Sequence, residues 1–249
     1  MKRRNLPLFF IVSTFAVSIL SCKKESISVD NTLNNATTNR VTAGTLQTLD
    51  LRPGAQDGQD AHVAWKADDP NWAETGNWGS FEELTPFIWT NNGALVKARV
   101  YINFIGLSVI PKNAAVVSAK LILYGLSSSL TAPQGNSTYP GSPYNIYGTN
   151  KCVVTQVTSK WDESTITWNK QPNYITNDAV AFGPSTSQFN WDAEVDVTKM
   201  VKRMVKYPSQ NFGFAISLIK EDIYRSLVFG SSEAADVNDR PRLVVEYTL

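Results

Sequence analysis

Histidine is nearly missing from this chain. His62 is the single one in 249 residues, and cysteine occurs only twice. That leaves little material for a four-ligand zinc site or for a nucleophile–histidine triad. Excess charge is missing too: 23 Lys and Arg face 22 Asp and Glu, for a net charge of +1. Such a balance fits neither a nucleic-acid footprint nor a charged tail, so no nucleic-acid partner is expected. There is no internal repeat, and helical periodicity is confined to one short segment. What remains is a chain that is 43% hydrophobic, enough for one globular domain of about 200 residues with a real core.

The N-terminus reads as a targeting segment. Lys2, Arg3 and Arg4 precede the apolar run LPLFFIVSTFAVSIL, which suits the hydrophobic region of a signal peptide and is short for a spanning helix. The run ends in Ile19-Leu20-Ser21-Cys22, which resembles the lipobox of bacterial lipoproteins, where a small residue precedes the cysteine that receives lipid. The expectation is a signal peptide over residues 1–21 and a lipid on Cys22 that tethers the protein to a membrane. Lys2, Arg3 and Arg4 are the only charged residues in that segment, so its removal takes the net charge from +1 to −2. Residues 22–44 are rich in Ser, Thr and Asn and too poor in apolar residues to order themselves, so they read as a flexible tether. Cys152, in the strand-like KCVVTQV, reads as a buried, inert thiol.

From residue 45 onward the pattern is strand after strand. In ARVYINFIG, Val100, Ile102 and Phe104 fall on one face and Arg99, Tyr101 and Asn103 on the other. AGTLQTLDLRP, AVVSAKLILYG, KCVVTQVT, STITW, NFGFAISLI, RSLVFGSS and PRLVVEYTL are similar short runs, rich in β-branched and aromatic residues and bounded by Gly, Pro, Asn or Ser. Many short strands without intervening helices predict an all-β fold, an antiparallel sandwich. One segment departs from this. In DVTKMVKRMVKYP, Val197, Met200, Val201, Met204 and Val205 recur at helical spacing, with Asp196 or Thr198 to cap the start and Pro208 to stop the chain. It predicts one short helix across an edge or end of the sandwich. Residues 127–143 form a long turn-rich loop.

Several stretches resemble, in order, the DNRLRE-type domain, a β-sandwich of secreted bacterial proteins grouped with carbohydrate-binding modules that include alginate binders. They are RPGAQDGQDAHV, NWG at Asn77–Gly79, WTNNG followed by RVYINFIGLSVIPKNAAVVSAKLILYG, WDESTITWNKQP, DVTKMVKRMV, NFGFAISL, YRSLVFGSSE and RPRLVVEY. The likeness covers about Leu46 to Leu249. It implies a jelly-roll-like sandwich, polysaccharide as the partner and an outer-membrane or cell-surface location, and it does not imply an enzyme. The alternatives are a structural or adhesive envelope module that binds protein partners and, behind it, a polysaccharide-degrading enzyme. Ile105 stands where that family often has Asp, so any role of that carboxylate is absent here.

Candidate site residues follow from the aromatics. ADDPNWAETGNWGSFEELTPFIW, residues 67–89, reads as irregular chain yet holds three of the seven tryptophans, with Trp65 just before it. These rings are either pegs that pin a loop or a surface on which sugar rings stack through their C–H faces. Trp78 and Trp89 read as pegs, and Trp161, Trp168 and Trp191 as core or corner residues. Trp65 and Trp72, beside Lys66, Asp68 and Asp69, are the freer candidates for ligand. Tyr139, Tyr144 and Tyr147 border the long loop, as packing or as a second stacking surface. An anionic uronate polymer would need guanidinium partners, for which Arg99 and Arg225 are the candidates. Asp57, Asp60, Asp68 and Asp69 come nearest to a hard-cation cluster, but DGQD lacks the spacing of a recognised calcium loop. No cofactor is expected, with structural calcium the one alternative left open. Asp162 and Glu163, taken as strand neighbours, point to opposite faces and form no acid–base pair. Glu233 and Asp236 read as a surface network with Arg240.

Overall fold

In the computed structural model, which describes residues 44–249, the alternating segments pair into antiparallel strands. In chain order these are β1 (Gln47–Leu51), β2 (Gln59–Lys66), β3 (Glu83–Leu84), β4 (Phe87–Asn91), β5 (Ala94–Asn103), β6 (Ala115–Leu123) and β7 (Cys152–Val157). They continue as β8 (Tyr174–Phe182), β9 (Ala193–Asp196), β10 (Phe214–Leu218), β11 (Arg225–Ser226), β12 (Phe229–Gly230) and β13 (Arg242–Thr248). Two α-helices interrupt them: α1 (Pro70–Thr75) after β2, and α2 (Thr198–Lys206) after β9. The expected signal peptide, Cys22 and nearly all of the expected tether lie outside the described residues.

The all-β expectation holds. One sheet has four strands in the order β1-β13-β6-β9. The other runs β11-β4-β5-β10-β7-β8, and β2 pairs with the remaining edge of β5. β3 and β12 make a small separate pair. Val100, Ile102, Phe214 and Ile216 of the large sheet meet Leu121, Leu123, Leu243 and Val245 of the small one in a single buried cluster. Each such side chain contributes about 1.5–3 kcal/mol by leaving water. At one end α2 closes this core with Met200, Val201, Met204 and Val205. Its start differs from the expected cap: Val197 holds the N-cap position without a side-chain cap bond. The Asp196 carboxylate accepts the Thr198 amide at 2.9 Å from one residue further out, and the Thr198 hydroxyl accepts the Ala119 amide of β6 at 2.9 Å.

Three details differ from the expectation. A second helix exists, because Asp69 caps a turn that Pro70 opens, its side chain accepting the Asn71 amide. WDESTITW is not a strand. Asp162 accepts from the Ser164 amide at 2.9 Å, and its carbonyl accepts from Ile166 at 2.9 Å, so the segment folds as a tight turn that runs into a 3-10 turn at Trp168–Lys170. Asp162 and Glu163 are therefore turn residues rather than strand neighbours. The outer face of β5 is not a solvated polar face either. The turn lays Trp161 and Ile166 over Ala61, Val63, Tyr101 and Ala215, and Tyr101 is wholly buried with its hydroxyl donating to Gln171 at 2.9 Å. Cys152 is buried in the core, and burial pushes its thiol up.

Candidate functional site

Where the small sheet ends, the large sheet is covered by tryptophan instead of by aliphatic side chains. β4 and β5 are joined by the two-residue loop Asn92-Gly93, both at positive φ (50° and 85°), the backbone that an Asn-Gly hairpin turn adopts. This sets Trp89 opposite Val96, and Phe87 opposite Ala98. Trp72 stands on α1. Trp78 follows in the NWG turn, seated against Gly76, where a Cβ would collide with the Trp78 ring. Trp72, Trp78 and Trp89 together pack on Ala64, Phe87, Val96 and Ala98.

The result is a cleft of about 500 Å3 with Ala64, Phe87 and Val96 among its apolar walls and the three indoles around it. The Trp72 and Trp78 centroids are 5.4 Å apart with planes at 53°, so they form an angled pair. His62 stacks on Trp78 at 5.4 Å and 20° and meets the edge of Phe81 at 5.6 Å. Burial holds the imidazole neutral by lowering its pKa to about 4, and its Nδ1 lies 3.3 Å from the Glu83 carbonyl oxygen. The far rim is the loop from Ser129 to Gln134. The buried Glu83 carboxylate pins it by accepting from the Leu130 amide (2.6 Å), the Thr131 amide (3.1 Å) and the Ser129 hydroxyl (2.7 Å). Leu130 itself stands 92% exposed at the rim. Thr90, Asn91, Asn92, Thr131 and Gln134 supply the polar groups, and no charged side chain among the described residues lines the cleft.

The candidates read from the sequence scatter. Trp72 is in the cleft. Trp65, one residue from Ala64 on β2, points to the opposite face of the sheet, pairs with Lys97 and has that lysine's Nζ 6.0 Å from its ring. Arg99 shares that outer face, where it donates to Glu221 at 2.7 Å and lies 4.9 Å above the Trp168 ring. Tyr144 braces Trp89 from behind, edge-on at 4.6 Å, together with Tyr224 at 5.0 Å. Arg225 is only 5% exposed: it donates to the Tyr147 carbonyl and pairs with Asp222 at 3.0 Å, so it fastens this aromatic group rather than facing solvent. Tyr139 borders a separate shallow depression with Pro140 and Pro184. Trp78 and Trp89, read from the sequence as pegs, do pack on the sheet, yet each also lends surface to the cleft; His62, Phe81 and Leu130 carry no local signal for such a place.

The aspartates also part company. Asp57 accepts the Gly54 amide at 2.7 Å within its own turn, Asp68 pairs with Lys66 at 3.3 Å, and Asp69 caps α1. Asp236 caps the Asn238 amide at 2.8 Å, and Arg240 donates to the Ala234 carbonyl, so the expected network of Glu233, Asp236 and Arg240 does not form. Asp60 instead turns inward to meet Glu163 and Glu233. Burial, and then the Glu233 charge, push its carboxyl well above the usual carboxylate range. Burial raises Glu163 as well.

No curated protein matches the chain. A family does: residues 59–247, most of the chain and nearly all of the sandwich, match carbohydrate-binding module family 96. An antiparallel sandwich with an uncharged, tryptophan-lined cleft at one end is consistent with that match, and the chain belongs to carbohydrate-binding module family 96.

Proposed function

We propose that this chain is a non-catalytic module that holds polysaccharide in the cleft formed by Trp72, Trp78 and Trp89, and that it does so from a lipid anchor on Cys22 at the bacterial cell envelope. The observation that carries the binding site is the cleft itself: three indoles around an apolar wall, with amide and hydroxyl groups at the rim. Indole faces receive the C–H faces of sugar rings, and the rim groups fix the hydroxyls. Among the described residues no cation lines the cleft: Lys66, whose Nζ stands 5.5 Å from the Trp72 ring, is paired with Asp68. The two arginines suited to uronate are elsewhere, Arg99 paired on the outer face and Arg225 internal. The site therefore fits a neutral glycan better than alginate. The anchor is supported by the basic start, the short apolar run and Ser21-Cys22. The likeness to DNRLRE-type domains fits the same setting.

Affinity electrophoresis of the full chain through gels carrying neutral β-glucan, xylan, mannan or alginate tests the binding. Retardation by a neutral polymer, lost in Trp72→Ala and Trp78→Ala with the fold intact by circular dichroism, is the expected result. Retardation by alginate alone, unchanged in both variants, would move the site to the outer face; retardation by none, with one stoichiometric protein partner in a pull-down, would favour an adhesive module. For the anchor, metabolic labelling with an alkyne fatty acid should mark the chain, and Cys22→Ser should abolish the label.

A further inference from the structure

Three parts of the chain far apart in sequence bring carboxylates together beneath the loops at the start of β2. Asp60 opens the buried part of β2, Glu163 sits in the WDEST turn, and Glu233 follows β12 in the Ser231–Glu233 turn. One oxygen from each lies within 4.8 Å of the other two. Asp60 is only 2% exposed. One of its oxygens accepts the Ser232 amide at 2.9 Å, while the other, Oδ1, is buried and has no partner among the described residues. Glu163 accepts the Asp60 amide at 2.7 Å, and the Ser232 hydroxyl reaches both oxygens of Glu233 at 3.1 and 3.2 Å. None of the three carboxylates forms an ion pair with any described Lys or Arg.

Three acids meet in one corner, one of them buried with an oxygen that has no partner among the described residues, and a cation there would stabilise all three as carboxylates. We propose that Asp60, Glu163 and Glu233 bind one calcium ion. The donors are all hard oxygens, and ligands at about 2.3–2.6 Å from one ion lie up to about 5 Å from each other, which spans the observed spacing. Loop carboxylates of mixed reach suit the adaptable shell of calcium better than the rigid octahedron of magnesium. Glu163 also borders an open depression of about 490 Å3 with Gln59 and Asn103, which gives solvent a way to that side of the cluster. The ion would tie together the first loop, the WDEST turn and the turn after β12. It would also brace the cleft, because the Asn77 side chain donates to the Glu163 and Ile166 carbonyls at 2.6 and 2.8 Å just before Trp78.

Titration calorimetry of the EGTA-stripped full chain with calcium chloride is the test, with no glycan present, so its outcome is separate from that of the cleft. One equivalent of calcium should bind with Kd below about 100 μM, magnesium at least about tenfold more weakly. At a hundredfold excess over Kd the melting temperature should rise by roughly 5–10 °C. Asp60 is too buried for its loss to be read cleanly. Glu163→Gln and Glu233→Gln, both half-buried, should each weaken calcium at least about tenfold and remove most of the melting shift. No heat and no melting shift up to 10 mM calcium would overturn the proposal. So would a one-equivalent site that both variants leave unchanged, or magnesium binding as tightly as calcium.

Discussion

Strand β5 passes through two environments, and the contrast between them explains the molecule. Its Val100–Asn103 half lies under the small sheet, where Val100 and Ile102 pack against Leu, Val and Ile. Its Ala94–Ala98 half lies beyond that cover, where Val96 and Ala98 meet Ala64, Phe87 and indole rings. The alternation of the strand is the same in both halves, so the same rule of sheet packing operates throughout. What changes is the lid. Aliphatic cover can be shed only by unfolding. The angled tryptophans instead leave a groove that a flat, partly apolar ligand such as a sugar ring can fill.

This contrast can be broken from either side. The largest effect is expected in the covered half: Leu121→Ala should cost about 2–5 kcal/mol in urea unfolding, because a buried leucine leaves a cavity between the sheets. Glycan affinity per folded molecule should stay unchanged, and a parallel loss of affinity would show that the two halves are not separable. Next comes acid. His62 is held neutral with a pKa lowered to about 4, whereas in the unfolded chain it takes up a proton below about 6.5. The unfolded state therefore binds more protons in that interval, so the contribution is complete above about pH 6.5 and declines as pH falls toward 4, by about 3 kcal/mol in all. Other groups titrate there too, so the check is the difference in urea midpoints between pH 7 and 4.5 for the wild type against His62→Gln, which should flatten the dependence.

A smaller effect is expected at the rim. Glu83→Ala leaves the Leu130 and Thr131 amides without their acceptor and should cost about 2 kcal/mol, with a loss of glycan affinity that exceeds the loss of stability as the loop slackens. Retained affinity in a folded Glu83→Ala protein would show that the loop wall takes no part in binding. The smallest effect belongs to the other face of the sheet: Trp65→Ala should change glycan affinity by less than about twofold, since its ring points away from the cleft. A larger loss would place the ligand on the Trp65–Lys97 side.

The sandwich was legible because alternation over nine or ten residues, as in β5 and β6, has few other uses. The Met200–Val205 stripe of α2 was legible for the same reason. STITW was misread because β-branched residues suggest a strand, while a single aspartate two residues before Ser164 was enough to close a turn. The Asn92-Gly93 turn was present in the sequence as WTNNG and explains why Trp89 belongs to a hairpin rather than to a loop. Tryptophan abundance pointed to the stretch that lines the cleft and, in Trp72, to one of its three rings, but not to Trp78 and Trp89. Trp65 faces away from the cleft because its side of β2 is fixed by pairing with β5 rather than by neighbours in sequence, whereas Trp72 is carried into the cleft by α1. The acidic trio as a group was out of reach: Asp60, Glu163 and Glu233 are joined only by the fold, and close spacing in sequence grouped Asp60 with Asp57, Asp68 and Asp69 instead.

Asn77 links one more pair of distant regions. Its amide grips the Trp161–Ile166 turn, and the next residue is Trp78. The width of the slot between Trp72 and Trp78 is thus set partly by a turn that lies outside the cleft. Drift in that turn could retune which glycans are accepted while every contacting residue stays the same, so relatives with identical tryptophans need not share a preference.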